Sequence, residues 1–578
     1  MVRYLRYKDI GVIVFNDKNS PANLLSSKNL KQLASIVNNI IGKDPPLKAI
    51  FFLSKKRDIF IAGADIKELI KIDTKKEALE FCRRGQDLFN KIDLLHIPVI
   101  AIVNGACVGG GFELALACDY IVATENKKVR FGLPESKLGI VPGFGGPHRL
   151  TAKIGAKRAG LLIDNGRLLG LDEARRVGIV DRIITKPKKI SDLKPLSKVF
   201  KKPVKPAYLP KEDFLERKRF SNKILGRPAK NALGAFLLIQ NYKKTLLRRK
   251  GVNLQRRIKH CAIIGAGKMG RGIAYLISSN IDGDVGLCDI KKDAIVEAKR
   301  DIYIIYKEAV EKDLLYKKEA YLGFKRISFG ITSFKDVEMV IECVPEDFVI
   351  KSQVFRDIEK ELRRSSIIAT NTSCISINKL AQSLEHPERF VGVHFFNPAY
   401  KMKLVEIIPS RFTRKANVDR LIKFLYDIKR IPILVKDSPG FLVNRILLPY
   451  LNEAIFMLQE GIPGKDIEDA MIKFGMPVGP LTLIREIGVD VYYKAAKILE
   501  ENFKDRMRVP EINDDLTQSD IPKKRILKKE KIQYRLLQPM KREAMLCLRE
   551  HIVDNMDLIN LALYLGVGFP RTKSIWEL

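Results

Sequence analysis

Two groups of residues in this chain have the types and spacing for acid–base and redox chemistry. The first comprises Ile61-Ala62-Gly63-Ala64-Asp65, Gly109-Gly110-Gly111-Phe112-Glu113 and Pro134-Glu135. Glycines let a backbone turn approach a ligand without Cβ clashes, and a helix that they open presents free N–H groups. N–H donors from two separate loops make an oxyanion hole for an enolate. Two carboxylates beside it, Glu113 and Glu135, can hold a water and pass protons, one as acid and one as base. The second group comprises Gly265-Ala266-Gly267-Lys268-Met269-Gly270, Asn371-Thr372-Ser373 and His394-Phe395-Phe396-Asn397-Pro398. Its glycine loop would bring the backbone close to a pyrophosphate at a helix N-terminus. His394 is followed twelve residues later by Glu406. A carboxylate bonded to an imidazole fixes its tautomer and raises its basicity, as removal of an alcohol proton requires.

Each signal taken singly has a plainer account. A triple glycine can be a tight helix–strand junction, a lone glutamate is usually solvated, and a lone histidine is usually a satisfied core residue. The surrounding elements favour the chemical account. Cys261–Ile264 reads as a buried strand leading into the glycine loop, a helix is expected over Arg271–Ile277, and Asp289 ends the next strand. An acidic residue there can bind ribose hydroxyls and disfavours a 2′-phosphate, so NAD is preferred to NADP. An FAD site is the alternative, weakened by the downstream histidine.

The elements that must position these residues follow from punctuation. Short β-runs at Gly11–Phe15, Ala49–Leu53 and Val99–Val103 alternate with helical stretches, which is α/β patterning. Prolines and lysines dominate Lys186 to Pro210 and read as a linker. A helical stretch runs through Ala229–Asn253, and after Pro439-Gly440 the pattern is helical to the end. Within that last part, Arg445-Ile-Leu-Leu-Pro449, Glu453 and Glu460 recur ninety residues on as Arg535-Leu-Leu-Gln-Pro539, Glu543 and Glu550. Two helical units of common origin account for this. Asn444 is replaced by Tyr534 in the second copy, so the copies are not expected to share a catalytic role.

The 578 residues suggest about four domains. The eight cysteines are scattered without a metal-binding spacing, which argues for a reducing compartment and against structural zinc. No apolar run approaches the roughly 20 residues of a membrane span, and the start lacks a signal-peptide pattern. The net charge of +37 is spread along the chain, without the interleaved aromatics of a nucleic-acid module. A generally basic surface that steers polyanionic ligands fits better than specific nucleic-acid binding.

Residues 1–185 resemble the crotonase (enoyl-CoA hydratase/isomerase) family. The resemblance rests on Ala-Gly-Ala-Asp, Asn104-Gly-Ala followed by Gly-Gly-Gly-Phe-Glu, and Phe131-Gly-Leu-Pro-Glu135 followed by Pro142-Gly-Phe-Gly-Gly146. It implies an oxyanion hole from the N–H groups of Ala64 and Gly110, with Glu113 and Glu135 as the catalytic carboxylates. Pro147-His148 departs from the family's usual Thr-Gln, and His148 is read as structural. Residues 258–500 resemble 3-hydroxyacyl-CoA dehydrogenase, through Val344-Pro345-Glu346, Lys351, Asn371-Thr-Ser373, His394 to Pro398, Glu406 and Asp437 to Asn444. By that resemblance His394 is the base, Glu406 its partner, and Ser373 and Asn444 bind substrate. Gly265, Gly267, Met269, Gly270, Asp289, Val344, Pro345, Glu346, Lys351, Asn371 and Asn397 line the cofactor, and no metal is implied.

The order of the parts resembles the multifunctional fatty acid β-oxidation α-subunits, shortened in the linker and with a truncated second helical unit. The expected architecture is a multidomain α/β chain. A crotonase-type ββα spiral spans 1–185, a linker and linker helix 186–257, and a Rossmann-type NAD domain 258–436. Two related all-helical units span 437–515 and 516–578. The resemblance implies hydration of trans-2-enoyl-CoA and NAD-dependent oxidation of the product, with acyl-CoA thioesters as substrates. It also implies oligomerisation, a thiolase β-subunit as partner and a cytoplasmic, bacterial-type setting. An isomerase–dehydrogenase with weak hydratase activity, and a decayed non-catalytic assembly protein, remain the alternatives.

Overall fold

The computed structural model describes residues 2–40, 47–199, 201–202, 210–248, 257–312, 314–331, 333–511 and 526–578. The chain forms two compact units, Met1–Leu237 and Leu238–Leu578, and passes from one to the other within the helix Arg227–Arg248. Part of the expected linker (200, 203–209 and 249–256) and the expected 515/516 boundary lie outside the described residues.

In the first unit, successive strand pairs divide themselves between two sheets. Ala49–Ser54, Val99–Val103 and Tyr120–Thr124 join a six-stranded sheet. Their partners Ile59–Ile61, Ala106–Val108 and Arg130–Gly132 form a three-stranded parallel sheet. The first two pairs are each followed by a helix, giving the expected ββα spiral. The strands Ile10–Phe15 and Val99–Val103 are buried along their whole length, as strands covered on both faces must be. Phe52, Phe60, Phe89, Phe112 and Phe131 fill the core between the layers. The helix Pro210–Ile224 packs against the helix Lys75–Asp93. Asp213, Glu216, Phe220 and Ile224 share one buried face of it, at the three- and four-residue spacing of helical neighbours.

The second unit carries an eight-stranded sheet. Its order is Ile327–Phe329, Val285–Cys288, Cys261–Ile264, Met339–Glu342, Ile367–Thr370, Phe390–Phe395, Leu404–Pro409, Ile431–Leu434. The first six strands are parallel, and Leu404–Pro409 runs against Phe390–Phe395. Chain order reverses between Cys261–Ile264 and Met339–Glu342, the switch point where such sheets open a crevice for ligands. All described elements beyond Gly440 are helices, beginning with Val443–Gln459.

The sequence repeat has a three-dimensional counterpart. Val443–Gln459 and Lys529–Arg549 pack together, each with its repeat proline inside the helix. Arg445 of the first copy bonds Glu543 and Glu550 of the second, the Glu543 contact at 2.7 Å. Arg535 of the second reaches back to Glu453 and Glu460 of the first. The two copies thus exchange equivalent ion pairs across a local two-fold relation.

Candidate active sites

The first group assembles at the carboxyl ends of the three-stranded sheet. Ala64 follows the strand Ile59–Ile61, Gly109–Glu113 follow Ala106–Val108, and Glu135 follows Arg130–Gly132. Because these strands are neighbours in register, residues 22 to 71 positions apart meet at one sheet edge. Gly63 has φ +89°, and a Cβ on it would lie 3.8 Å from the Gly110 nitrogen, so the two loops touch. Leu25 N–H bonds the carbonyl of Gly63. Gly110 begins the helix Gly110–Leu116, so its N–H has no intrahelical acceptor. The loops bearing Ala64 and Gly110 are therefore brought together. A Cβ on Gly109, at φ +55°, would come within 2.9 Å of Glu135 Oε1, so glycine is required where that carboxylate docks.

Glu113 is buried, and its Oε1 accepts the N–H groups of Phe144 and Gly146, both at 2.9 Å. Burial pushes its pKa up to about 7, and the two N–H bonds oppose that rise. Burial and the neighbouring Glu113 charge hold Glu135 well above the usual carboxylate range. Glu135 Oε2 is buried without a hydrogen-bond partner among the described residues. A carboxyl kept protonated beside one that ionises near neutrality is the arrangement for paired acid–base work.

Behind this pair lie His148, which the sequence reading names as structural, and Glu216 and Arg149, which it missed. Glu216 Oε1 accepts Gly145 N–H at 2.7 Å and Gln86 Nε2 at 3.2 Å. Arg149 bonds the carbonyls of Phe144 and Gly145 and the side chain of Asn90. His148 lies 3.7 Å from Asp213 and 3.8 Å from Glu216. Burial and the Arg149 charge lower its pKa to about 4. The one available signal was the apolar face of residues 213–224, on which two acids are set.

The second group lies at the carboxyl ends of the eight-stranded sheet. Gly265 has φ +103°, and a Cβ on it would strike the Cys343 carbonyl at 2.6 Å; one on Gly270 would strike the Gly265 carbonyl at 1.9 Å. These two glycines close the turn. Gly267 differs: it caps the helix Lys268–Ser278, and a Cβ there would meet no protein atom within 4 Å. Its small size keeps the helix N-terminus clear, which suits a diphosphate. Met269 is half-buried at the same turn. Asp289 Oδ2 accepts Ala266 N–H at 2.8 Å and Oδ1 accepts Lys291 N–H at 2.9 Å. Each oxygen retains a lone pair for a ribose hydroxyl. The residues present fit a dinucleotide.

Beyond the switch point, Lys351 is fully buried, with Nζ 2.7 Å from Glu342 and 3.4 Å from Glu346. Burial works against its charge, but the two carboxylates outweigh it and raise its pKa. Glu346 Oε1 also accepts Thr372 Oγ1, Ser373 N–H and Cys374 N–H, at 2.6, 2.8 and 3.0 Å. It follows Val344-Pro345 and ties the Lys351 helix to the loop bearing Ser373. Asn371 Oδ1 accepts Phe395 N–H at 2.9 Å, next to His394. Asn397 is exposed and precedes a cis proline. Glu342 was missed, although an acid ending the apolar strand Met339–Glu342 is a visible anomaly.

His394 and Glu406 are direct partners in the antiparallel ladder, which explains their twelve-residue spacing. His394 Nδ1 and Glu406 Oε2 are 2.7 Å apart, both side chains buried. Glu406 Oε1 accepts Leu442 N–H at 3.2 Å and Val443 N–H at 3.0 Å. That oxygen anchors the helix whose first turn carries Asn444. Asn444 Nδ2 in turn donates to the Ser373 carbonyl at 3.3 Å. Phe396 and Phe441 flank the imidazole, with ring centroids 4.6 and 5.9 Å away. His394, Glu406, Ser373 and Asn444 thus converge.

Comparison with known proteins agrees with both family resemblances. Residues 6–204 match the enoyl-CoA hydratase/isomerase family. Residues 260–438 and 440–527 match the NAD binding and C-terminal domains of 3-hydroxyacyl-CoA dehydrogenase. The fatty acid oxidation complex subunit alpha of Vibrio parahaemolyticus is 31% identical over 643 aligned positions, which cover 97% of this chain and 90% of that protein. The chain belongs to the fatty acid oxidation complex α-subunit family. The Idiomarina loihiensis α-subunit is 30% identical, covering 98% of this chain and 91% of its own. Among solved structures, (S)-3-hydroxybutyryl-CoA dehydrogenase from Ralstonia eutropha is 34% identical over 43% of this chain and 89% of that one, with a TM-score of 0.41. For an α-subunit of this family, two sites on one chain imply consecutive reactions.

Proposed function

We propose that this chain hydrates trans-2-enoyl-CoA to L-3-hydroxyacyl-CoA and then oxidises that alcohol with NAD to 3-ketoacyl-CoA. The reading is carried by the pairing of two intact acid–base sets, Glu113 with Glu135 and His394 with Glu406, in one chain of this family. At the first site, Ala64 and Gly110 N–H groups would stabilise the thioester enolate. Glu113, which ionises near neutrality, would take the proton from water as oxygen adds at Cβ, and protonated Glu135 would supply the Cα proton. At the second site, Ser373 and Asn444 would hold the hydroxyl oxygen while His394 Nε2 removes its proton. Glu406 would hold the Nδ1 proton and stabilise the imidazolium.

NAD, when bound, supplies the hydride acceptor. Gly265, Gly267 and Gly270 would take its diphosphate, Asp289 its adenosine ribose, and Glu346, Lys351, Asn371 and Asn397 its nicotinamide end. The 3-ketoacyl-CoA requires thiolytic cleavage, and we place a thiolase β-subunit beside this chain in an oligomeric complex. Among the described residues no helix is long and apolar enough to cross a membrane. The eight cysteines are free thiols, which supports a cytoplasmic setting. Crotonyl-CoA and NAD together test the whole reading: purified chain should produce NADH from them. Production of NADH from 3-hydroxybutyryl-CoA but not from crotonyl-CoA would remove the hydratase half.

A further inference from the structure

Three consecutive backbone N–H groups divide between two carboxylates. Phe144 and Gly146 donate to Glu113 Oε1, and Gly145, between them, donates to Glu216 Oε1 at 2.7 Å. Glu216 comes from the helix Pro210–Ile224, beyond the crotonase spiral, and is buried. It is fixed from the other side by Gln86 Nε2, which also donates to the Asp213 carbonyl. Phe81 stacks on Phe220 of the same helix at 5.9 Å and meets Phe144 at 5.2 Å. Helix, loop and Glu113 are therefore one mechanical unit. Gly145 has φ +87°, so no ordinary side chain can stabilise this turn from within. Arg149 holds the carbonyls of Phe144 and Gly145, and the Gly145 N–H is held by Glu216.

We propose that Glu216 is a positioning residue of the hydratase site: by accepting Gly145 N–H it holds the loop whose flanking N–H groups orient and stabilise ionised Glu113. The inference rests on the assignment of Glu113 as a hydratase carboxylate. The titratable groups facing Glu216 are Glu113, Asp213 and His148, with Glu135 and the Cys82 thiol further out, and the Arg149 cation bonds the same loop and favours ionised Glu113. Burial first, and the Glu113 charge second, raise the pKa of Glu216 to about 8. A neutral carboxyl at pH 7 still accepts through its carbonyl oxygen, so the holding function needs no charge. A glutamine can perform it: its oxygen takes both donors, and its amide nitrogen faces His148 Nδ1, now 3.8 Å from Oε2. An aspartate keeps a carboxylate but falls roughly 1.5 Å short, beyond hydrogen-bond reach of Gly145.

The experiment compares Glu216→Asp with Glu216→Gln in the full chain, by hydration of crotonyl-CoA across pH and by oxidation of added 3-hydroxybutyryl-CoA. Aspartate should lower hydration kcat on the order of 10²-fold, the cost of a misplacement near 1 Å, with KM little changed. The acidic limb of its profile should move to higher pH, because Glu113 loses N–H groups that favour its ionised form. Glutamine should restore most of the lost rate and return the limb. Dehydrogenase activity should stay intact in both. Equal impairment by the two variants, a worse glutamine, an unmoved limb in the aspartate variant, or parallel loss of dehydrogenase activity would each overturn the proposal. Glu113→Gln in the same assay separates the underlying reading: if it hydrates at the wild-type rate, the Glu113 assignment fails, whereas failure confined to position 216 leaves it standing.

Discussion

Replacing Glu406 by glutamine changes one atom in a fully buried carboxylate, and the structure dictates how the amide must lie. Oε1 accepts two backbone N–H groups, from Leu442 and Val443, while Oε2 faces His394 Nδ1 at 2.7 Å. If the amide turned its nitrogen toward Leu442 and Val443, two buried donors would lose their acceptor, at about 1–3 kcal/mol each. If it turned its nitrogen toward His394, every bond would survive once the imidazole moved its proton from Nδ1 to Nε2. That shift between neutral tautomers costs far less, so the second arrangement prevails. Nε2 then carries the proton and cannot accept one from the substrate hydroxyl. The expected loss is that of a general base, about 10²–10⁴-fold in kcat, or roughly 3–5 kcal/mol of barrier. NADH formation from 3-hydroxybutyryl-CoA measures it, with hydration of crotonyl-CoA as an internal control that should not move. A Glu406→Gln chain oxidising within a factor of about two of wild type would refute the tautomer argument and the role of His394 as base.

Other outcomes follow from the same geometry. The pKa of Glu113 is raised from the usual carboxylate value to about 7, so the folded first unit holds that proton more tightly than the unfolded chain does. The stability it contributes is complete below about pH 4.5 and is lost as pH rises through about 7. Thermal unfolding of Glu113→Gln should therefore show a flatter decline across that window than wild type, and an unchanged slope would count against the shift. NAD should be strongly preferred over NADP in kcat/KM, and Asp289→Ala should weaken NAD and narrow the ratio; equal wild-type values for the two would exclude the role of Asp289. Arg445→Leu removes the buried one of two arginines that pair Glu543, Arg506 being the other, and should cost about 2 kcal/mol in chemical denaturation. Arg535→Leu, at its part-exposed counterpart, should cost no more than about 1 kcal/mol, and equal losses would contradict the burial argument. Native purification at moderate salt should recover this chain with thiolase activity, whereas thiolase wholly in other fractions would remove the partner.

How far the sequence revealed these sites depended on whether each residue's setting was local. Glu113 and Glu135 were readable because each follows a glycine- or proline-marked turn at the end of a strand, and such turns exist to bring backbone close to something. His394 and Glu406 were paired by their spacing, and the antiparallel register supplies the physical reason: twelve residues are what the two strands and their connection require to set them opposite. The glycine loop was readable in part, since Gly265 and Gly270 are demanded by internal contacts while Gly267 is demanded by none. The helical repeat was plain, but the exchange of arginine–glutamate pairs between its copies was not, because partners 98 residues apart leave no local trace.

Glu216 shows where such reading stops. It lies in a lysine- and arginine-rich helix, where a glutamate has every appearance of a solvated residue. Only its place on the buried stripe with Asp213, Phe220 and Ile224 departs from that appearance, and a stripe says that a face is covered, not by what. The helix Lys75–Asp93 covers most of that stripe, and what Glu216 meets is a loop seventy residues earlier, whose own sequence is explained by its glycines. Neither segment alone indicates that Gly145 needs an external acceptor, because the need arises from a buried backbone turned to φ +87°. Burial also changes the chemistry of the residue that meets it. In water the same carboxyl would be charged at neutral pH; among Glu113, Asp213 and His148 it keeps its proton to about pH 8. A helix outside the spiral thereby supplies an uncharged acceptor where a second charge would oppose the ionisation of Glu113. The proposed catalytic pair could be read from the first 185 residues, but the carboxyl that accepts Gly145 N–H between its two loop donors comes from the segment that follows them.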